Sequence, residues 1–161
     1  MRIAIVDDRP LAIEAVRRVI GRGPEYALAW VARNGEEAVR KAVDDPPDLI
    51  LMDLVMPGVD GAEATRRIMA AAPCPILIVT ATVSGNYGLV YDALGAGAVD
   101  AVNTPTLGLD GSLRGGDVLL AKIAQIAKKV KSSAGSGPHP AFRPPAARVP
   151  PLVAIGASTG G

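Results

Sequence analysis

The sequence predicts an α/β domain made of five strand–helix units, the doubly wound (βα)₅ arrangement around a five-stranded parallel sheet. Five short apolar runs alternate with longer segments whose apolar residues recur at helical spacing. Most of the runs are continuously apolar, which is typical of parallel strands that are covered by helices on both faces. The strands are predicted over residues 3–6, 27–32, 49–52, 76–80 and 98–102.

The helices between these strands have recognisable starts. Pro10 suits the first turn of a helix, where the missing N–H leaves no hydrogen bond unmade. Asn34 precedes Glu37 by three residues, which is the spacing of a side-chain cap and its acidic partner. Asp60 and Glu63 repeat that spacing. The last helix is predicted over residues 115–131, with an apolar stripe of Leu119, Ile123, Ile126 and Val130.

Residues 132–151 differ in composition from the predicted domain over residues 1–131. A Ser/Gly-rich stretch is followed by six prolines between Pro138 and Pro151, and such a sequence buries too little apolar surface to fold. We therefore expect a linker over these residues. Residues 152–161 form an apolar run that enters a glycine-rich turn. Because a domain does not naturally end after its first strand, we expect a fragment of a longer protein with a second α/β domain.

Composition and charge exclude several classes of protein. The single cysteine, Cys74, and the single histidine, His139, exclude an internal disulfide and a Cys/His zinc site. No apolar run reaches about 18 residues and no signal-peptide pattern is present, so we expect a cytoplasmic protein without membrane insertion. Residues 1–117 carry 11 basic and 16 acidic residues, whereas residues 118–161 carry six basic residues and no acid. An acidic body repels phosphate, which argues against nucleic acid as its partner.

Acidic side chains follow two of the predicted strands. Asp7 and Asp8 follow the first strand and Asp53 follows the third, so all three lie at the edge where doubly wound sheets bind ligands. Carboxylates so close together are unfavourable unless a cation holds them, and Mg²⁺ is the hard cation that prefers oxygen ligands. A carboxylate beside such a metal is also a competent nucleophile toward phosphorus, which would give an aspartyl phosphate.

Thr80 ends the fourth strand, at the same edge of the predicted sheet, and offers a hydroxyl to a phosphoryl oxygen. The alternative gives the acids structural roles only: Asp7 or Asp8 caps the first helix, and Asp53 is a turn residue before Met56-Pro57-Gly58. Three carboxylates together with a threonine at adjacent strand ends favour a reactive pocket over this alternative.

The motifs around these residues resemble those of the receiver domains of two-component response regulators. They are Val6-Asp7-Asp8, the run LMDLVMPGVDG from Leu51 to Gly61, and Val79-Thr80-Ala81. The resemblance covers residues 1–131 and implies the flavodoxin-like receiver fold. It also implies that Asp53 accepts a phosphoryl group from a sensor histidine kinase.

The same resemblance implies how the pocket works. Asp8 would bind Mg²⁺ directly and Asp7 largely through water, while Asp53 and the backbone carbonyl of Val55 would be further ligands. Thr80 would be the switch hydroxyl that moves toward the phosphoryl group.

Two positions depart from the receiver pattern. Thr104 precedes Pro105 at the end of the fifth strand, the switch position where receivers usually have a lysine, so the pocket lacks one positive charge. Ala101 stands where an aromatic residue is usual. Tyr87 or Tyr91 could supply the missing ring, although half-buried helix residues are the simpler interpretation. These departures leave open a non-enzymatic, receiver-like docking module with weakened phosphorylation.

The segment Gly156-Ala157-Ser158-Thr159-Gly160 has the G-x-S-x-G spacing directly after an apolar strand. This spacing is typical of a nucleophile elbow, which exposes the serine hydroxyl on a tight turn. Glycine-rich turns after a strand also begin dinucleotide-binding folds, and a structural turn without chemistry is a third interpretation. A dinucleotide-binding fold would need an acidic residue about 20 positions past the glycines.

After a receiver and a proline-rich linker, this segment resembles the start of the chemotaxis-type protein-glutamate methylesterases, known as CheB-type regulators. The resemblance implies that Ser158 is the nucleophile of a methylesterase domain that the unphosphorylated receiver obstructs. The implied substrate is the methylated cytoplasmic domain of chemoreceptors, and some members also deamidate receptor glutamines. The stretch from Asp100 to Pro105 resembles the Wsp surface-sensing branch. The partners of Ser158 would lie beyond Gly161, so these 161 residues are expected to lack esterase activity.

Overall fold

Strands and helices alternate along the chain as the sequence predicts. The computed structural model describes residues 1–134, and its elements are β1 (Arg2–Val6), α1 (Pro10–Ile20), β2 (Ala27–Ala32), α2 (Gly35–Asp44), β3 (Leu49–Met52), α3 (Gly61–Ala71), β4 (Ile76–Thr80), α4 (Tyr87–Gly95), β5 (Asp100–Asn103), β6 (Thr106–Leu107), β7 (Leu113–Arg114) and α5 (Gly116–Ala134). The five-stranded sheet has the order β2-β1-β3-β4-β5, and all its strand pairs are parallel. The predicted fold class is therefore confirmed.

Helices cover both faces of the sheet, which explains why the strands are apolar without alternation. Ile3 and Ile5 of β1 pack in one core cluster, together with apolar residues of α1 and α5. Ala4 and Val6 of the same strand pack in the other cluster, together with residues of α2, α3 and α4. Both faces of β1 are thus removed from water, as in other doubly wound sheets.

The strand order places the ends of β1 and β3 side by side. Strand β1 pairs with β2 on one side and with β3 on the other, which makes it the switch point of the sheet. Val6 is in register with Met52, and the N–H of Asp53 donates to the carbonyl of Val6 over 2.8 Å. Asp7 and Asp53 therefore leave the sheet as neighbours.

The predicted helix starts are present. Asn34 Oδ1 accepts the N–H of Glu37 over 2.8 Å, and Asp60 Oδ1 accepts the N–H of Glu63 over 2.8 Å. Pro10 is the first residue of α1. Asn34 and Asp60 each pair a backbone N–H that a helix start would otherwise leave without a partner, whereas Pro10 has no N–H to pair.

The fifth strand begins later than predicted. Gly97, between α4 and Ala98, has a φ of 119°. This turn lets the N–H of Ala98 donate to the carbonyl of Ala93 over 3.0 Å, which closes the end of α4. The apolar character of Ala98 and Val99 suggests a strand, but the N–H of Ala98 bonds to α4 and is therefore not available to the sheet. Strand β5 consequently runs over Asp100–Asn103 instead of residues 98–102.

An antiparallel hairpin of β6 and β7 lies between β5 and α5 and was not predicted, because two-residue strands show no periodicity. Helix α5 ends at Ala134, three residues later than predicted, so it includes the first residues of the predicted linker. Residues 135–161, with the rest of that linker and Ser158, lie outside the described residues. Within residues 1–134, no helix is both long and apolar enough to cross a membrane.

Candidate functional site

Three carboxylates meet at the switch point of the sheet. Asp7, Asp8 and Asp53 each offer an oxygen, and these oxygens all lie within 4.8 Å of one another. Asp7 and Asp53 are only 3% and 2% exposed. Within residues 1–134, Asp8 Oδ1 is buried and has no hydrogen-bond partner. A set of hard oxygen donors that includes an unpartnered buried oxygen fits a divalent cation such as Mg²⁺.

The Asp53 carboxyl lies in an environment that disfavours its charge. Burial and the neighbouring Asp7 carboxylate raise the pKa of Asp53 to about 6, against the opposing effect of Arg9 and the backbone N–H groups of Leu54 and Val55. The Leu54 N–H donates to Asp53 Oδ1 over 2.9 Å. Above pH 6 the carboxyl is mainly ionised, and ionisation is what a nucleophile toward phosphorus requires.

Arg9 reaches into the acidic cluster. Its Nε lies 3.2 Å from Asp7 Oδ1 and its Nη2 lies 3.2 Å from Asp7 Oδ2. The same Nη2 is 3.9 Å from Asp53 Oδ2. The hydrogen bond to Asp7 raises the pKa of Arg9, so the guanidinium keeps its charge. The backbone N–H of Arg9 also donates to Asp7 Oδ1 over 2.9 Å. Arg9 itself is the N-cap residue of α1 and that helix has no side-chain cap, so this bond does not make Asp7 the cap of the helix.

Thr80 ends β4 beside this cluster and is 1% exposed. Its Oγ1 accepts a hydrogen bond from Asn86 Nδ2 over 3.3 Å, which leaves the hydroxyl hydrogen available for another acceptor. Asn86 directly precedes α4 and makes no side-chain cap on that helix. The Thr80 hydroxyl is thereby linked to the start of α4.

These groups enclose a cavity of about 210 Å³, which is large enough for a phosphoryl group. The cavity is lined by Arg9, Asp53, Val55, Thr80, Ala81 and Asn86. Thr104 does not line this cavity. It lines a second cavity of about 440 Å³, which Arg9 also lines. Within the described part of the chain, Thr104 Oγ1 is buried without a hydrogen-bond partner.

The loop after β3 requires glycine where it returns to Asp53. A Cβ on Gly61 would stand 2.0 Å from the carbonyl oxygen of Asp53 and 2.8 Å from Leu54 Cα. The Gly61 N–H also donates to the Leu54 carbonyl over 2.9 Å. Gly58 has a φ of 75°, a conformation that L side chains rarely adopt. The two glycines therefore let this loop close tightly around the backbone of Asp53.

Comparison with known proteins gives the family of the chain. The family described as "response regulator receiver domain" matches residues 3–107. The chain belongs to the response regulator receiver family. The elements from α1 to the hairpin strand β6 lie within the matched residues, and β1 begins one residue before them.

Relatives of this receiver are named as protein-glutamate methylesterases. Protein-glutamate methylesterase/protein-glutamine glutaminase 4 of Burkholderia thailandensis is 54% identical, over 100% of this chain and 47% of its own length. The enzyme numbered 3 of Burkholderia orbicola is 57% identical, over 100% of this chain and 48% of its own length. The receiver chain thus spans about half the length of the curated relatives it matches.

A solved structure shares the receiver fold. The response regulator domain of Thermotoga maritima CheB aligns with a TM-score of 0.65 and 27% identity, over 86% of this chain and 98% of that one.

Two residues of the receiver site were not predicted from the sequence. Arg9 follows two aspartates at the start of α1, and this position is the one signal that pointed to it. Asn86 lies in a turn before α4 where the sequence has no periodicity, so the sequence held no comparable signal. Tyr87 and Tyr91 are 71% and 59% exposed, which corrects the interpretation of both as half-buried residues. Rings this exposed give no support to either tyrosine as a replacement for the aromatic residue that is missing at Ala101.

Proposed function

We propose that this receiver accepts a phosphoryl group on Asp53 from a sensor histidine kinase, in a reaction that requires Mg²⁺. The observation that carries the proposal is the position of the Asp53 carboxylate. It is almost fully buried, lies within 4.8 Å of two further carboxylates, and faces a cavity that also contains the Thr80 residue. No purely structural role explains why three acids share one site at such an electrostatic cost.

The acidic cluster would hold the metal. Asp8 offers an unpartnered buried oxygen, Asp7 and Asp53 offer the neighbouring carboxylates, and Val55 lines the same cavity. Bound there, Mg²⁺ would screen the repulsion between the carboxylates and the incoming phosphoryl oxygens.

Transfer would use the ionised carboxylate of Asp53. An oxygen of that carboxylate attacks phosphorus, the phosphorus–nitrogen bond of the donor histidine breaks, and the imidazole leaves with the electron pair. Thr80 donates its hydroxyl hydrogen to a phosphoryl oxygen. Moving toward that oxygen breaks its 3.3 Å contact with Asn86, and this would pass the change to the start of α4.

We further propose that the receiver controls a serine-dependent protein-glutamate methylesterase domain of the same protein, acting on methylated chemoreceptor cytoplasmic domains in the cytoplasm. The names of the relatives and the motif around Ser158 support this output. Ser158 would be the nucleophile. Glutamine deamidation, which the relatives' names include, and a Wsp-type surface-sensing pathway are further parts of the proposal.

The phosphorylation proposal is tested by intact mass. The purified chain is incubated with acetyl phosphate and Mg²⁺, and the expected result is the addition of one phosphoryl group. Asp53→Asn abolishes the addition because it removes the nucleophilic oxygen, whereas the control Asp60→Asn keeps it, since Asp60 only caps α3. An unchanged mass of the wild-type chain contradicts the proposal.

The output is tested in the full-length protein. Hydrolysis of methylated receptor should be faster after phosphorylation of Asp53 and should disappear in Ser158→Ala. Hydrolysis that survives Ser158→Ala contradicts the assignment of the nucleophile.

A receiver-like docking module is the second candidate, and Thr104 favours it. The residue is uncharged and its hydroxyl lies outside the Asp53 cavity, so it cannot pair with a phosphoryl group as a lysine would. Such a module would bind its partner equally well with and without acetyl phosphate. Phosphorylation of Asp53 together with a phosphate-dependent change in partner affinity would exclude it.

A further inference from the structure

The cavity beside Asp53, lined also by Thr80 and Asn86, carries an excess of negative charge. Asp7, Asp8 and Asp53 contribute three negative charges, and phosphorylation replaces the Asp53 charge with a phosphoryl group of about two negative charges. A divalent cation offsets only part of this total. Thr104, which directly follows β5, contributes no charge. A further cation near Asp53 would therefore stabilise the phosphorylated state.

Arg9 is placed to be that cation. Its guanidinium makes two contacts of 3.2 Å with Asp7 and lies 3.9 Å from Asp53 Oδ2. Arg9 lines both the cavity of Asp53 and the cavity of Thr104. The residue directly before α1 thus borders the space beside Thr104 and still reaches the nucleophile.

The Arg9 side chain has room to change partners. It is 44% exposed, whereas the Asp7 and Asp53 side chains that it contacts are 5% and 3% exposed. The acids are therefore fixed by the sheet, while the guanidinium approaches them from the solvent side. A divalent cation on the acidic cluster would compete with Arg9 for Asp7, because both neutralise the same carboxylate.

We propose that Arg9 supplies the positive charge that pairs with the phosphoryl group on Asp53, in a role that Thr104 does not fill. Before transfer, Arg9 neutralises Asp7 and partly neutralises Asp53. With a divalent cation on the acidic cluster, Asp7 would no longer need the guanidinium as its partner. Arg9 would then turn toward the phosphoryl oxygens and form charge-assisted hydrogen bonds with them. This assignment rests on the proposed phosphorylation of Asp53.

Arg9 makes no covalent bond in this step. With acetyl phosphate as donor, an Asp53 oxygen forms the new bond to phosphorus, the bond between phosphorus and the acetate oxygen breaks, and acetate leaves with the electron pair. Arg9 remains protonated throughout and acts through its charge and its N–H donors.

The test compares Arg9→Gln and Arg9→Lys with the wild type and with the control Arg18→Gln. Arg18 lies in α1, the helix that Arg9 precedes, but it pairs with Glu14 and lines neither cavity. Mg²⁺ affinity is measured by titration calorimetry. Affinity for beryllofluoride, a stable phosphoryl analogue, is measured by ¹⁹F NMR at saturating Mg²⁺, and the rate of phosphorylation by acetyl phosphate is measured by intact mass.

Arg9→Gln should change the two affinities in opposite directions. Mg²⁺ should bind severalfold more tightly because its competitor for Asp7 is gone, and beryllofluoride should bind about tenfold more weakly because one charge-assisted pair is lost. Arg9→Lys should restore most of the beryllofluoride affinity, and Arg18→Gln should match the wild type in both measurements. A general loss of structure would weaken both ligands together.

Two results overturn the assignment of Arg9: unchanged affinities in Arg9→Gln, or a loss of both. These binding measurements do not require phosphoryl transfer. A wild-type chain that acetyl phosphate does not modify overturns the proposed function of Asp53 instead, so the two failures are distinguishable.

Discussion

Replacing Asp53 with asparagine should stabilise the metal-free protein. Burial and the Asp7 carboxylate raise the pKa of Asp53 from its ordinary 3.8 to about 6, so the folded state binds a proton there more tightly than the unfolded chain does. The stability that the protonated Asp53 carboxyl contributes to the fold is fully present below pH 3.8, the pKa of the unfolded chain. It is lost as the pH rises to the folded pKa of about 6. Above pH 6 the loss is constant, and the pKa change corresponds to about 3 kcal/mol. Asparagine keeps the shape of the side chain and removes that cost.

The assay is urea denaturation in the presence of a chelator, followed by the fluorescence of Trp30, the single tryptophan. At pH 7.5 the free energy of unfolding of Asp53→Asn should exceed that of the wild type by about 3 kcal/mol at most. At pH 5 the difference should fall to about half, because the wild-type carboxyl is then mostly protonated in the folded state.

Saturating Mg²⁺ provides the second arm of this experiment. The metal should stabilise the wild type more than Asp53→Asn and so reduce the difference at pH 7.5. Asp92→Asn, which changes an exposed acid of α4, should leave stability unchanged at both pH values. An Asp53→Asn variant that is no more stable than the wild type at pH 7.5, or whose advantage is the same at pH 5, would show that burial of the Asp53 charge does not destabilise the fold.

Three further predictions concern the surroundings of the site. Gly61→Ala should lower the free energy of unfolding by about 1–3 kcal/mol, because its Cβ meets the Asp53 backbone; the control Gly88→Ala, whose Cβ meets nothing within 4 Å, should be neutral or slightly stabilising in the same urea titration. Asn34→Ala should cost about 1 kcal/mol in that assay by removing the cap of α2, and an unchanged midpoint would speak against the cap. Cys74 should resist thiol reagents in the native state, because burial raises its pKa to about 12; rapid labelling without unfolding would contradict this.

The main features of the fold were accessible from the sequence because they depend on local signals. Continuous apolar runs mark strands buried on both faces, and the caps at Asn34 and Asp60 act within three residues of themselves. The late start of β5 was not accessible, since it depends on the hydrogen bond with which Ala98 closes α4. The two-residue strands of the hairpin are too short to show a period.

The site could be predicted only in part, for a physical reason. Asp7, Asp8 and Asp53 follow buried strands, and the topology of a doubly wound sheet brings such residues to one edge. The contacts of Arg9 with Asp7 and of Asn86 with Thr80 depend on side-chain directions, which no spacing in the sequence specifies. The neutralisation of Asp7 by Arg9 could therefore be established only from the three-dimensional structure.

The central claim, that Asp53 carries the phosphoryl group, is tested most directly by locating that group in the chain. After incubation with acetyl phosphate and Mg²⁺, borohydride reduces an aspartyl phosphate to homoserine, and peptide mass spectrometry identifies the residue that was converted. We expect homoserine at position 53 and at no other aspartate. Homoserine at Asp7 or Asp8, or no conversion in a correctly folded chain, would contradict the account.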